Sequence, residues 1–271
     1  MIKDIIIETP KSYGLFHFGS IIILGIVIFL SIKFLKNPSR KTVNIVLLVS
    51  GIIMILLEVF KELSYIVTFN EELQIYEYSW YAFPFQFCST AMYLMVLVPL
   101  FKEGKIREVL LAFLASYSIF GGLTVYAYPE QVFVSHLGVC IQTMVHHGLQ
   151  IAVGVWLLAS GVVKINYKSL INASYVFFVL FAIAFLMNVS FYNLHICDGH
   201  AFNMFYIGPY YECTLPLVSM FYPKEFNIIG YILFLLLYIV GFIAASGVIL
   251  LIAYGIQKLV MKLKNNKGDL V

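Results

Sequence analysis

A thiol and a pair of imidazoles are the side chains of this sequence best suited to nucleophilic chemistry, and they lie in separate apolar segments. Cys88 comes four residues after Pro84, which suits the first turn of a helix because a missing N–H needs no partner there. Cys88 is therefore predicted one turn into a helix, near the positive end of the helix dipole, where the nucleophilic thiolate is favoured. The competing interpretation is a buried cysteine that serves only as a small apolar side chain.

His146 and His147 are adjacent in a later apolar segment. Because neighbours on a helix diverge by about 100°, the two rings are not expected to face the same pocket. Gln142 and Gln150 share the helical face of His146. Thr143 shares that of His147, and the spacing does not choose between the two histidines. A neutral imidazole can take the proton of a thiol and later return it, whereas the alternative is a structural histidine bonded to Gln or to a backbone carbonyl.

An acidic residue, Glu58, also lies inside an apolar segment, where an ionisable side chain is expensive to bury. Lys61 follows three residues later and Glu62 four residues later, which predicts a local ion pair at the end of a helix. If Glu58 points inward instead, its carboxylate would orient one of the histidines. Both interpretations remain open from the sequence.

The elements that position these residues are predicted to be membrane helices. Apolar residues make up 62% of the chain and charged residues 11%, against roughly 45–50% and 25% in soluble domains, which excludes a water-soluble globule. A disordered chain is excluded because it lacks so much apolar surface. The net charge is only +3 and the basic residues are scattered over loops, so nucleic-acid binding is not expected. Residues 1–271 are interpreted as a single all-α integral membrane domain.

Seven segments are long and apolar enough for transmembrane helices of about 20 residues. They run approximately over Leu15–Leu35, Val43–Ile66, Phe83–Phe101, Val109–Tyr126, Leu137–Val162, Ile171–Leu194 and Ile228–Tyr254. The stretch from His195 to Lys224 contains aromatic residues, Gly208 and two prolines, and is too broken for a helix. We expect it to form a long loop or a re-entrant element packed over the other segments.

Positive charges are distributed unevenly among the loops. If the loop after the first segment is cytoplasmic, 13 of the 17 Lys and Arg residues lie on that side. The exceptions are Lys3, Lys11, Lys61 and Lys224. This bias predicts a multi-pass protein of the cell membrane, with its N-terminus outside and its C-terminus cytoplasmic. We expect the first segment to be a true span rather than a cleaved signal peptide, because Asp4 and Glu8 offset its positive charge and no Ala-x-Ala site follows.

The predicted outer loop contains two further cysteines, Cys197 and Cys213, sixteen residues apart. An oxidising compartment would allow a disulfide between them, and the separation does not forbid one. His195 and His200 lie in the same loop, but no accepted metal-ligand spacing is present. The sequence also has no Gly-rich phosphate loop, so neither a metal nor another cofactor is predicted.

Short motifs in these segments resemble those of the YwaF-like bacterial integral membrane proteins. They are Pro84-Phe85-Gln86-Phe87-Cys88 at the start of a span, His147-Gly148-Leu149 in a later span, and Asn203-Met204-Phe205-Tyr206 followed by Pro209, with Asn188 upstream. The resemblance covers nearly the whole chain. Two positions differ, because Gln86 stands where that family usually has His, and Met204 where it has Tyr. The first difference removes a polar partner of the thiol.

The bacterial group is similar to an animal membrane-protein family described as a cysteine acyltransferase that moves polyunsaturated acyl chains onto lyso ether phospholipids. More remotely, it resembles the androgen-induced membrane hydrolases, which use Thr and His on lipid esters. The resemblance implies that Cys88 is the nucleophile and His147 the base, with His146 as its substitute. It also implies that Asn188 and Asn203 are pocket residues.

The leading hypothesis is a membrane-embedded Cys/His acyltransferase or acyl-ester hydrolase that acts on phospholipids through a thioester. Membrane lipids would be its partners and an acyl lipid its substrate. Such a reaction requires a hydrogen-bond donor to the oxyanion, and Gln86, Ser89 and Asn203 are candidates for that role.

Two other classes of function stay open. In a transporter or small-molecule-binding membrane protein, Glu58, His146 and His147 would form an intramembrane polar site. Neither inverted repeats nor paired broken helices are visible in the sequence to support a transporter. The third class is a structural or accessory membrane protein.

Overall fold

The computed structural model describes residues 4–72, 74–197 and 199–268, so that Lys3 of the charge count lies outside them. The described residues form an all-α membrane bundle, as the composition predicts. Its helices are α1 (Leu15–Phe34), α2 (Arg40–Lys61), α3 (Thr90–Leu97), α4 (Lys105–Leu114), α5 (Tyr117–Ala127), α6 (Leu137–Ala159), α7 (Tyr167–Asn193) and α8 (Ile228–Gly268). A short antiparallel hairpin of β1 (Val67–Asn70) and β2 (Ile75–Tyr78) follows α2 and was not expected from the sequence.

Five helical stretches among the described residues are long and apolar enough to cross a membrane. They are Leu15–Phe34, Arg40–Ile66, Lys105–Ala127, Tyr167–Asn193 and Ile228–Leu263. The protein is therefore a multi-pass membrane protein, but the predicted count of seven spans is not confirmed. The predicted segment Phe83–Phe101 contains only a shorter apolar stretch, Phe87–Leu100. Helix α6 is long enough, but its His and Gln residues lower its mean hydropathy.

Helix α6 is the most enclosed helix, because it packs against α1, α2, α4 and α5. Most of its residues are buried, including both histidines. Glycines allow the close approach of α5: a Cβ on Gly122 would lie 2.7 Å from the backbone oxygen of His147. A Cβ on Gly154 would lie 2.6 Å from the backbone oxygen of Leu114, so the end of α4 also approaches α6 closely. The polar residues of α6 thus face protein rather than lipid, which is the usual location of polar side chains within a membrane.

The N-terminal segment fixes the beginning of α6. The Asp4 carboxylate accepts hydrogen bonds from the backbone N–H groups of Gly138 at 2.8 Å and Val139 at 3.1 Å. The Leu137 N–H donates to the oxygen of Ile5 at 2.9 Å. A carboxylate at this position satisfies N–H groups that have no partner within the helix and complements the helix dipole.

The stretch from His195 to Lys224 contains no long helix among its described residues, as predicted, and residues 202–208 pack on the bundle. Two short 3₁₀ turns, Met204–Tyr206 and Val218–Phe221, interrupt it. Cys213 is a buried free thiol, so the disulfide that the sequence allowed between it and Cys197 is not formed.

Residues 200–212 of this stretch are called the outer segment below.

A candidate thiol and imidazole site

Cys88 lies in a 3₁₀ turn, Phe87–Ser89, that leads into α3. It therefore precedes the helix, and the prediction that it lies one turn inside was wrong. Gln86 has an extended backbone and its side chain binds the outer segment, so the chain from Pro84 does not begin a helix. Cys88 is partly exposed, whereas the other three cysteines are buried. The most accessible thiol of the chain is thus at the N-terminal end of a short helix.

The two histidines have different surroundings although both are buried, with 2% of His146 and 7% of His147 exposed. Their ring centroids are 5.3 Å apart. The Nδ1 atom of His147 is 2.7 Å from the backbone oxygen of Thr143, as in the structural interpretation. The ring of His146 lies beside the backbone of Cys88 and Met54. Among the described residues, neither nitrogen of His146 has a hydrogen bond of normal geometry.

Further buried polar atoms lie on the same helix. Both amide atoms of Gln150, which follows His146 by one turn, and the Nε2 atom of His147 have no hydrogen-bond partner among the described residues. Buried polar groups are nearly always satisfied in proteins, so a group of unsatisfied atoms calls for a functional explanation. The structural interpretation accounts for one nitrogen of His147 and leaves the rest of this group unexplained.

Glu58 connects α2 to α6. Its Oε1 atom accepts a hydrogen bond from Lys61 Nζ at 2.7 Å, which confirms the predicted ion pair. Its Oε2 atom accepts another from Gln142 Nε2 at 3.0 Å, so the carboxylate also points into the bundle. Thr143 donates its hydroxyl to Gln142 Oε1 at 3.3 Å and offers its backbone oxygen to His147. A continuous polar chain therefore runs from Lys61 to the His147 ring.

These groups and the thiol occupy one polar region. Glu58 and Lys61 both lie within electrostatic range of the Cys88 thiol. The hydroxyl of Ser89 lies beside the same thiol, and Ser89 is buried. The structure thus brings a thiol, two imidazoles and an ion pair to the junction of α2, α6 and the turn before α3, although they come from three distant parts of the sequence.

Gln86 holds the outer segment rather than facing the thiol. Its Nε2 atom donates to the backbone oxygen of Asn203 at 3.1 Å, and its Oε1 atom accepts from the N–H of Phe205 at 2.9 Å. The ring of Phe205 also stacks on Phe85, with 6.1 Å between the ring centroids, and meets Phe87 edge-on at 5.6 Å. The turn that carries Cys88 is therefore docked against the outer segment.

The two asparagines hold the same segment from its other sides. Asn188 is 1% exposed and exchanges two hydrogen bonds with the backbone of Met204, at 2.9 and 2.6 Å. The Oδ1 atom of Asn203 accepts from the N–H of Gly208 at 2.7 Å, and its Nδ2 atom donates to the oxygen of Tyr211 at 3.1 Å. Both amides are occupied by backbone groups, so their contacts are those of residues that shape the segment.

Two residues near the thiol were not selected from the sequence. Lys61 was considered only as a partner of Glu58, and Tyr206 only as part of a motif. Tyr206 lies within electrostatic range of the Cys88 thiol. No spacing could have revealed this, because the relationship depends on the docking of the outer segment.

No group of three or more His, Cys, Asp or Glu side chains suited to a metal ion occurs in the described parts of the chain. The candidate site is therefore a cluster of a thiol, two imidazoles and an ion pair inside a helix bundle.

Comparison with curated proteins and with solved structures found no match. The TMEM164 family model matches residues 12–255, which contain the thiol, both imidazoles, the ion pair and the outer segment. The chain belongs to the TMEM164 family of membrane proteins.

Proposed function

We propose that this protein is a membrane-embedded cysteine acyltransferase or acyl-ester hydrolase that acts on phospholipids, with Cys88 as its nucleophile. The observation that carries the proposal is the buried His146 ring, which lies beside the backbone of Cys88 and makes no hydrogen bond of normal geometry among the described residues. An ionisable side chain inside a membrane bundle is costly and points to a functional site. The motif resemblance to YwaF-like proteins and to a cysteine acyltransferase family supplies the reaction class.

The first half-reaction transfers the acyl group to the enzyme. The sulfur of Cys88 attacks the ester carbonyl while His146 accepts the thiol proton. The carbon–oxygen ester bond then breaks, and the departing lysolipid oxygen takes the proton back from His146. The product is a thioester on Cys88, and the imidazole has acted first as base and then as acid.

The second half-reaction releases the acyl group. A lysolipid hydroxyl or a water molecule attacks the thioester as His146 takes its proton, and the Cys88 sulfur leaves and is reprotonated. The sequence motif favoured His147 as the base. We assign the role to His146 because its ring lies beside the backbone of Cys88. The chain from Lys61 through Glu58 to His147 would then stabilise the helix that carries the base.

The positive-inside distribution supports a location in the cell membrane with the N-terminus outside. Cys88 lies close to the outer segment, so in this orientation the site would open toward the outer leaflet. Membrane lipids are then both the solvent and the substrate of the enzyme.

The test is the detection of the thioester. Purified protein in lipid nanodiscs is incubated with a phospholipid whose acyl chain carries a terminal alkyne, and the acyl-enzyme is identified by mass spectrometry. Loss of the acyl group on mild hydroxylamine treatment then identifies the bond as a thioester. We expect the label on Cys88 and its loss in Cys88→Ala. The matched control is Cys140→Ala, which removes a buried thiol that donates to the Val134 oxygen. A protein that forms no thioester, and whose Cys88→Ala variant keeps its cellular function, would instead be a transporter or an accessory protein.

A further inference from the structure

The outer segment contains two consecutive non-glycine residues in the left-handed backbone region, Phe205 with φ of 58° and Tyr206 with φ of 57°. Such a conformation is unfavourable for a residue with a side chain and persists only where the surroundings impose it. Residues held in this way cluster at active sites and ligand clamps. The pair therefore calls for an explanation beyond packing.

The surroundings of this pair impose the conformation strongly. The hydroxyl of Tyr238 donates to the oxygen of Phe205 at 2.9 Å, and that of Tyr231 donates to the oxygen of Ile207. Gln86 and the two asparagines described above bind the same stretch from the other directions. Several buried side chains thus fix the backbone of a few residues.

The consequence of the conformation is the placement of one side chain. Within residues 202–208 only Tyr206 is partly exposed, and the others are buried. The ring of the preceding residue, Phe205, contacts the rings of Phe85 and Phe87. These two residues flank Gln86, whose side chain binds the Phe205 N–H. The Tyr206 side chain lies outside this buried group, with its hydroxyl beside Thr214 and within electrostatic range of the Cys88 thiol.

The oxyanion donor of the proposed reaction has few other candidates. The side-chain amide of Gln86 already donates to the oxygens of Tyr81 and Asn203. That of Asn203 donates to the oxygens of Tyr211 and Glu212. A phenol is a suitable donor because it keeps its proton at neutral pH, and burial raises the pKa of Tyr206 further from neutrality.

We infer that Tyr206 donates a hydrogen bond to the oxyanion that forms when the Cys88 sulfur adds to the lipid ester carbonyl. The inference rests on the proposed function. As the sulfur–carbon bond forms, the carbonyl π electrons move to the oxygen, and the thiol proton moves to His146. The phenolic O–H bond remains intact throughout and stabilises the negative oxygen. When the intermediate collapses, the electron pair returns to the carbonyl and the lysolipid oxygen departs with the proton from His146.

The experiment measures two reactions of Cys88 in nanodiscs. The first is thioester formation from the alkyne phospholipid, with kcat and KM determined separately. The second is alkylation by iodoacetamide, a substitution at carbon that forms no oxyanion. We expect Tyr206→Phe to lower kcat for thioester formation about 100-fold, as for the loss of one oxyanion donor. Its KM and its rate of alkylation should stay near the wild-type values.

Two variants serve as comparisons. Tyr222→Phe removes a hydroxyl that reaches the same region only through a 3.5 Å contact with the Gly208 oxygen, and should leave both rates unchanged. Ser89→Ala tests the hydroxyl beside the thiol, and a loss of kcat for thioester formation in this variant, together with a wild-type kcat in Tyr206→Phe, would assign the donor to Ser89 instead. Tyr206→Phe with wild-type kcat overturns the inference, as does a parallel loss of acylation and alkylation, which would indicate a structural role. A wild-type protein that forms no thioester overturns the inference together with the proposed function, whereas a wild-type thioester that is unaffected by Tyr206→Phe overturns the inference alone.

Discussion

Glu58 of α2 and Gln142 of α6 share a 3.0 Å hydrogen bond inside the membrane bundle, and the other oxygen of the same carboxylate binds Lys61 at 2.7 Å. The bond joins the helix that carries the imidazoles to the helix that carries the ion pair of Glu58 and Lys61. Glu58 is thus both a partner of Lys61 and a link between helices.

Removing this carboxylate should destabilise the protein. In Glu58→Ala, Lys61 keeps only the 3.6 Å contact with Glu62, and the Gln142 amide loses its acceptor. We expect a loss of about 1–3 kcal/mol, because partners of a charged group are left unsatisfied. Glu58→Gln should cost less, since its carbonyl oxygen still accepts one hydrogen bond. Thermal unfolding in detergent, followed by tryptophan fluorescence, compares the stability of the wild type with that of the two variants. A Glu58→Ala variant as stable as the wild type would contradict this prediction.

The close packing of α5 on α6 predicts that a side chain larger than that of glycine at position 122 destabilises the protein. A Cβ on Gly122 would lie 2.7 Å from the His147 oxygen and 2.8 Å from Cγ1 of Ile151, and a backbone oxygen cannot move without its helix. We expect Gly122→Ala to destabilise the protein by about 1–3 kcal/mol and to lower thioester formation, because the imidazoles shift. Gly25→Ala is the control, since among the described residues no atom beyond its own turn of helix lies within 4 Å of its Cβ position, and Ala favours a helix. Equal unfolding temperatures for the two variants would refute the close contact.

The sequence predicts the long helices well because a membrane helix requires only a local run of apolar residues. Leu15–Phe34 and Tyr167–Asn193 lie close to the predicted segments. The segment around Cys88 was predicted less well, because its helix is shortened by bonds from Gln86 to residues up to 119 positions away. Such bonds leave no trace in hydropathy. For the same reason the thiol and imidazoles could be selected by type, but the position of Tyr206 could not.

The difference in exposure among the cysteines predicts selective labelling. Cys88 is partly exposed, whereas Cys140, Cys197 and Cys213 are buried. Native protein treated briefly with N-ethylmaleimide should therefore take up one equivalent at Cys88, and Cys88→Ser should take up almost none. Peptide mass spectrometry identifies the site. Equally rapid labelling of Cys213 would mean that the outer segment opens in solution.

Replacing His146 and replacing His147 should change different properties of the protein. His146→Ala removes the proposed base and should lower thioester formation by roughly 100- to 10,000-fold, whereas its loss of stability comes from the cavity left by a buried ring and not from a lost hydrogen bond of normal geometry. His147→Ala removes the contact with the Thr143 oxygen, so we expect a lower unfolding temperature and a smaller loss of rate. The ratio of the two rates, corrected for folded protein, decides between them. A greater loss of rate in His147→Ala would return the role of base to His147.

The N-terminal segment provides the last prediction. Asp4 satisfies the N–H groups of Gly138 and Val139 at the start of α6, so Asp4→Ala should cost about 0.5–2 kcal/mol, as for the loss of a helix cap. Asp4→Asn retains an acceptor oxygen and should lose only the favourable charge at the helix N-terminus, about 0.3–1 kcal/mol. Glu8→Ala is the matched control within the same segment. Hydrogen exchange of the first turn of α6 measures the effect directly: protection should fall in the order wild type, Asn and Ala, and unchanged protection in Asp4→Ala would show that the N-terminal segment does not hold the helix that carries the imidazoles.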